Sequence, residues 1–464
     1  MTRGIVSAAA YLPHRRLDRS TIAAVAGGGG GKGTRTVAGY DEDTTTMGVE
    51  AARLALRSVG ADAIDAVWFS TVAPAYADKT NATTVHAALR LPRESPAFDA
   101  NGAVRSAVGA LRATLGGTGT HLVVSSDLRS GLAGGPDEAT FGDGAAALVV
   151  GDGTDEAPVI AEVIGKGGAT EEFLDRWRAP GQVRSKVWEE RFGETRYVPL
   201  GLAAWEDALK HAGLVADQVD RVVITGTHGR ANAALAKKLG LGDKVVDDAT
   251  SAVGNTGAAH PAVLLTGQLE CLLDDGAGAG QVLALVVLAD GADVLIFRTT
   301  EALASWRAAR PVKEQLASGA PVDYGTYLRW RGLLPVEPPR RPEPARPSAS
   351  AAGRSSDWKF GFVGSSDTDG AVHLPPQPGD ATAVPMADAV GTIVTSTIDR
   401  LAYSPSPPVV FAVVDFDGGG RLPVELTDVD DLGRVTAGAR VELTFRKLFT
   451  ADDIHNYFWK ARLV

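Results

Sequence analysis

The 464-residue chain holds a single cysteine, Cys271. An intrachain disulfide and a zinc site built on several thiolates are therefore both excluded. Long apolar runs are also missing. No uninterrupted stretch reaches the ~18 residues of a membrane span, so no membrane contact is expected. The N-terminus MTRGIVSAAAYLPHRR has no apolar centre of the kind a signal peptide needs. A basic surplus is absent as well: 46 Lys and Arg face 56 Asp and Glu, for a net charge of −10. This argues against generic nucleic-acid binding but leaves room for a local basic groove around a phosphate-bearing ligand. The expectation is a soluble cytoplasmic protein.

What is present is glycine, 54 residues, in a chain that is 45% hydrophobic, which suits large cores with close helix–strand packing. The length allows two or three domains. GIVSAAAYLP, AVWFSTV and HLVVSSD read as strands, while DEDTTTMGVEAARLALRSVG and NATTVHAALRL read as capped helices. A similar alternation follows from about residue 155: PVIAEVIGKG, then the helix PLGLAAWEDALKHAGL, the strand DRVVITGTH and the helix ANAALAKKLGL. QVLALVVLADGADVLIFRTT reads as two strands around a turn at Asp290-Gly291. Alternation at this spacing predicts two related α/β halves and a largely parallel sheet. Residues 335–356 are rich in Pro, Arg and Ser and read as an extended linker or strap. Beyond them, four or five short strands in about 80 residues suggest a small barrel such as an OB-fold. The expected divisions are 1–155, 156–300, a linker over 301–357, and 358–464.

One apparent motif fails. AGGGGGKGT resembles a phosphate loop, but Gly33 follows Lys32 where Ser or Thr is needed, and a surface loop is expected instead. A second stretch, DANGAVRSAVGAL at 99–111, reads as a strand-to-helix elbow. Such an elbow suits a nucleophile, because the helix dipole and free N–H groups favour a thiolate or an oxyanion. Val104 stands at that helix start.

Taken in order, DEDTTTMGVEAARLAL, AYADKTNATTVHAAL, DANGAVRSAVGAL, GDGAAALVV and VGNTGAAHPAVLL resemble the thiolase superfamily, in its ketoacyl synthase III and HMG-CoA synthase branch. The resemblance covers roughly residues 3–300 and implies a five-layered αβαβα thiolase-like fold. In that family a Cys at the elbow takes an acyl group from coenzyme A, supported by a His and an Asn or Glu. The nucleophile position matches Val104, which has no lone pair, and the Glu position falls near Val72. Ser106, about 200° around the helix, does not stand in for the Cys. His228 in ITGTHGRAN matches the family His, as an oxyanion or ligand contact or as a satisfied polar residue at a strand end. Asn255 matches the synthase Asn or supports a tight GNTG turn. Arg35 lies where the family often has an Arg near the CoA nucleotide, or is a surface charge. His260 and His86 read as packing or capping residues.

The C-terminal region resembles the OB-fold proteins, of the DUF35 type, that carry a rubredoxin-like zinc ribbon and accompany thiolases and HMG-CoA synthases. GSSDTDGAVHLPPQPGDATA has Ser366 and Asp369 at the first knuckle spacing and no Cys at the second, so Cys₄ zinc is excluded and no metal is expected, His373 notwithstanding. The resemblance implies a non-catalytic partner of a thiolase-type catalytic subunit, binding acyl-CoA as a ligand and dimerising through the thiolase-like domain. The alternative is an enzyme that acts on a CoA thioester without a covalent acyl-enzyme, as a decarboxylase or retro-aldolase. A third option is an acyl-CoA sensing module.

Overall fold

A computed structural model describes residues 2–379 and 381–464. Strand β1 (Gly4–Tyr11) is buried at every position, which a strand can be only inside a sheet covered on both faces. Around it lie β2 (Ala66–Ser70), β3 (Ala97–Asp99), β4 (His121–Asp127), β5 (Gly144–Gly151), β6 (Ala161–Ala169), β7 (Arg221–Gly226), β8 (Val282–Leu288) and β9 (Ala292–Thr299). They form one nine-stranded sheet in the order β7-β8-β9-β6-β1-β5-β4-β2-β3. Within the sheet, the two halves are joined where Gly4 and Ile5 of β1 face Glu162 and Ala161 of β6.

The expectation of a largely parallel sheet is corrected. β2 runs parallel to β3 and β4, and β7 to β8. The pairs β4·β5, β5·β1, β1·β6, β6·β9 and β9·β8 are antiparallel. For β8·β9 the reason is local: the tight Asp290-Gly291 turn joins them, and a turn that short permits only antiparallel neighbours; the other four antiparallel pairs are separated by longer stretches of chain.

Five helices complete the layers: α1 (Thr44–Leu56), α2 (Val104–Gly116), α3 (Glu190–Ala212), α4 (Gly229–Leu239) and α5 (His260–Asp274). Helices α2 and α5 lie between the two halves. Their Val104, Val108, Leu111, Val263 and Leu269 share one core with Ile5, Leu285 and Leu295. On one outer face, Met47 and Ala51 of α1 pack on Val67, Phe69 and Val124. On the other, Ala204, Trp205 and Ala208 of α3 pack on Val222, Ile224 and Ile296. The result is the expected αβαβα stack.

Within the segment read as a linker, residues 301–334 are folded against the first half. The Gln315 side chain donates to Ala10 O (2.9 Å) and accepts from Leu12 N–H (2.8 Å). Tyr324, Tyr327 and Leu328 share a small core with Leu17, Ile22 and Val37. The apolar and aromatic residues of VDYGTYLRW explain this, because they have surface to bury, whereas 335–347 is mostly exposed and lacks regular structure.

The C-terminal strands β10 (Val390–Asp399), β11 (Val409–Phe416), β12 (Arg421–Leu426), β13 (Arg440–Ala451) and β14 (Ile454–Leu463) close into a barrel in the order β10-β11-β12-β14-β13. It docks on the acidic start of α1. Arg446 and Lys460 of the barrel are fully buried there. Arg446 Nη2 donates to Tyr11 Oη (2.9 Å) and Asp428 Oδ2 (3.0 Å) and lies 3.2 Å from Glu42 Oε1. Lys460 Nζ lies 2.9 Å from Asp41 Oδ2, and Tyr457 Oη donates to Asp43 Oδ2 at 2.8 Å. Asp43 also caps α1, accepting from Thr46 N–H.

The knuckle that lacks cysteines is closed by side chains instead. Asp367 Oδ1 accepts from Asp369 N–H (3.0 Å) and Ala371 N–H (2.9 Å), and Oδ2 lies 3.0 Å from His373 Nε2. Ser366 belongs to the strand Val363–Ser366 beside this turn. No group of residues able to hold a metal ion is found among the described residues.

Candidate active site

The elbow is built as its sequence suggests. Strand β3 ends at Asp99, whose carboxylate accepts from Asn81 N–H (2.8 Å) and Ala82 N–H (2.7 Å) at the start of the neighbouring helix 82–89. Asn101 Oδ1 accepts from Thr71 N–H (3.1 Å), which ties the elbow to the loop after β2. Helix α2 then begins at Val104, whose side chain is buried in the core between the halves. Arg105 crosses to the second half, donating to Asp293 Oδ2 (2.8 Å) and Asp290 O (2.7 Å). Ser106 Oγ donates back to Asn101 O at 3.3 Å.

Val72 stands close by. Its N–H donates to Asp127 Oδ1 (2.7 Å) and its carbonyl accepts from Arg178 (2.7 Å). Asp127, fully buried, also accepts from Thr71 Oγ1 (2.9 Å) and Ala258 N–H (2.7 Å). One carboxylate thus holds the Val72 loop against the GNTG turn. Burial raises its pKa, and Arg129 with these hydrogen bonds opposes the rise. Gly257 of that turn has φ +59, and a Cβ there would lie 2.1 Å from Asp127 Oδ2, so only glycine fits.

His228 and Asn255 are brought to one place. His228 is the N-cap of α4: Nδ1 accepts from Ala231 N–H (3.0 Å), and Nε2 donates to Glu190 O (2.9 Å). Asn255 Nδ2 donates to Gly226 O (2.9 Å), two residues before His228, and its Oδ1 accepts from Gly257 N–H (2.9 Å). Both side chains therefore support local structure, as one alternative held. Both also line a cavity of about 480 Å³ between the halves. Its wall includes Arg19, Arg176, Arg184 and Asp175 but neither Val104 nor Val72.

Arg35 is placed elsewhere than expected. It is fully buried, with Nη2 donating to Arg129 O (2.8 Å), Nη1 to Glu138 O (3.1 Å), and Asp143 Oδ1 at 3.3 Å. Its guanidinium faces the Tyr327 ring at 5.2 Å. It is neither a surface charge nor open to a nucleotide, because the chain past residue 300 covers it. His260 accepts from Thr256 N–H through Nδ1 (3.3 Å) and donates to Asp248 O (3.0 Å), and burial lowers its pKa to about 4. His86 Nε2 donates to Pro92 O at 2.9 Å.

The residue that sequence reasoning missed is Asp175. It is a lone acid in an irregular segment, with no motif spacing to mark it. It is 3% exposed, and its Oδ1 has no hydrogen-bond partner. A Cβ built on Gly193 of α3 would lie 2.4 Å from that oxygen and 2.6 Å from His228 Nε2, so the glycine is what lets acid and imidazole sit together. Burial raises the Asp175 pKa, opposed by His228 and Arg176.

Comparisons with known proteins agree with this architecture. The family described as "ChsH2, C-terminal OB-fold domain" matches residues 383–446. The hydroxymethylglutaryl-CoA synthase of Aeropyrum pernix is 31% identical over 314 residues, 65% of this chain and 85% of that protein. The Picrophilus torridus synthase is 27% identical, over 71% of this chain and 97% of its own length. Among solved structures, an HMG-CoA synthase complexed with CoA superposes with a TM-score of 0.59 at 19% identity, covering 71% of this chain and 90% of its own. The 3-oxoacyl-(acyl carrier protein) synthase III of Pseudomonas aeruginosa gives 0.52 at 21% identity, covering 65% and 99%. With close to a third of its residues shared across most of the Aeropyrum synthase, the chain belongs to the hydroxymethylglutaryl-CoA synthase family and carries an OB-fold barrel at its C-terminus.

Proposed function

We propose that the chain binds an acyl-CoA in the cavity between its halves and serves as a non-catalytic partner of a thiolase-type catalytic subunit. The observation that carries this reading is the composition of the cavity wall. Four arginines, Arg19, Arg176, Arg184 and Arg230, line it with His228 and Asn255; Arg176 pairs with Asp137 and Arg230 with Glu190 and Glu194, while Arg19 and Arg184 have no carboxylate partner among the described residues, which suits an anionic ligand bearing a carbonyl. At the elbow Val104 offers an apolar side chain sunk in the core, where the family's chemistry calls for a thiolate. The partner supplies that thiolate and the Claisen, thiolytic or retro-aldol step. The subunit acts as a homodimer formed through the thiolase-like domain, without zinc, in the cytoplasm.

The test is co-purification of the tagged full chain with a thiolase encoded nearby, with acetyl-CoA binding measured by calorimetry. Turnover of acetoacetyl-CoA by the isolated chain through an acyl-enzyme would refute the partner role. One observation favours a second reading, an enzyme acting on the thioester without a covalent intermediate. Asn255 Nδ2 has two N–H groups and spends one on Gly226 O, so the other can donate to a thioester oxygen as charge grows on it.

A further inference from the structure

Four carboxylates lie in the wall of the cavity: Asp137, Asp175, Glu190 and Asp248. Three are engaged. Asp137 pairs with Arg176 (2.8 Å), Asp248 Oδ1 accepts from Thr250 Oγ1 (2.6 Å) and N–H (3.1 Å), and Glu190 lies 3.7 Å from Arg230. Asp175 is different. Among the described residues no donor reaches its buried Oδ1, although the Trp188 N–H holds its backbone carbonyl at 2.8 Å. A buried carboxyl oxygen left without a partner is costly and persists where something else needs it.

We propose that Asp175 is a general base that removes an α-proton from an acyl-CoA held in the cavity. The proposal rests on the second reading above, an enzyme that acts on a CoA thioester without a covalent intermediate, and deepens it by naming the proton acceptor; it stands in place of the non-catalytic role, not beside it. Asp175 takes the proton, the C–H electron pair moves into the thioester, and the carbonyl oxygen gains the charge. The second N–H of Asn255 donates to that oxygen. Return of a proton to the same carbon restores the thioester, so nothing is consumed and no nucleophile is needed.

The charged and titratable groups around Asp175 come from several elements. His228 faces it from the start of α4, Arg176 from its own segment, Asp290 from the β8–β9 turn and Tyr197 from α3. His228 is fixed by hydrogen bonds at both nitrogens, which holds the imidazole in place beside the acid. Burial and Asp290 raise the Asp175 carboxyl, making its anion a stronger base than an exposed carboxylate.

The experiment incubates the full chain with acetyl-CoA in D₂O and follows deuterium in the acetyl group by mass spectrometry. Binding of acetyl-CoA is measured in parallel by calorimetry. Wild type is expected to exchange, and Asp175→Asn to bind acetyl-CoA equally while losing exchange by about 100-fold. Asp175→Glu, which keeps a carboxylate, should recover part of the rate. A wild-type protein that binds acetyl-CoA without exchange, or an Asn variant that exchanges at the wild-type rate, overturns the assignment of Asp175. A wild type that fails to bind acetyl-CoA overturns the underlying reading of the cavity instead. If the Asn variant does not fold, Asp175→Glu takes its place: the displaced carboxylate should slow exchange, and a Glu variant with the wild-type rate and pH dependence overturns the assignment.

Discussion

Replacing Arg446 with methionine should unseat the barrel from the α/β domain. The guanidinium is fully buried and is shared by Tyr11, Glu42 and Asp428, with Asp41 3.8 Å away. Methionine fills much of the same volume but leaves Glu42 and Asp428 without their main counter-charge. Burial already raises the Glu42 carboxyl, and Arg446 opposes that rise. Breaking a buried pair from one side costs about 3–5 kcal/mol, because the surviving charge stays desolvated. That corresponds to a factor of about 150 to 5,000 in the folded-to-unfolded ratio. Equilibrium urea unfolding, followed by circular dichroism, reads this as a lower midpoint. Adding Glu42→Gln to Arg446→Met should return part of the loss, since it neutralises the stranded acid. The exposed pair Arg421–Asp415 is the control, and Arg421→Ala should leave the midpoint where it was. A loss under about 1 kcal/mol for Arg446→Met would refute the reasoning, because it would mean that water already compensates these charges.

Two further outcomes concern pH. His260 is held neutral, burial having lowered its pKa to about 4 from an unfolded value of 6.5. The unfolded chain then binds the extra proton between those values, so stability should fall as pH drops from 6.5 to 4, by up to about 1.4 kcal/mol per pH unit. His260→Gln should flatten that part of the curve, and an unchanged slope would count against the assignment. Glu270 is pushed up to about 7 by burial, and its Oε2 accepts from Val312 N–H at 2.8 Å. Its folded pKa lies above the unfolded 4.5, so ionisation costs stability as pH rises through that interval. Glu270→Gln keeps the acceptor, and should melt higher than wild type at pH 8 with no such gain at pH 4. A lower Tm at pH 8 would show that the anion is stabilised.

The elements of the large domain were legible because each carries its own period and punctuation. HLVVSSD is a strand at 121–127, and α2 starts at Val104. Strand direction was less legible, because alternation of strands and helices does not reveal which short turns fold back. The acidic run Asp41–Asp43 read only as the start of a helix. Its partners Arg446, Tyr457 and Lys460 lie about 400 residues along the chain, and no local pattern joins them. Arg35 failed for a similar reason: Tyr327, which lies across it, belongs to a segment whose proline-rich neighbour made the whole stretch look like a tether. Of the site, His228 and Asn255 were reachable through motif order. Asp175 was not, because its place beside His228 depends on the missing side chain at Gly193, a vacancy that appears only once α3 is laid over the loop.

The exposed stretch 335–347 gives the docked barrel a property that two separate proteins would lack. Barrel and α/β domain share one chain, so their encounter is first-order. The concentration each feels of the other is fixed by the length and stiffness of this proline-rich tether rather than by expression level. An interface relieved of most of the translational entropy of association can hold buried charges alongside its apolar contact, in which Phe445 and Trp459 of the barrel share one core with Met47 and Ala51 of α1. Dilution should therefore leave the barrel seated, whereas a cut within the tether would convert the same contacts into a bimolecular equilibrium that responds to protein concentration.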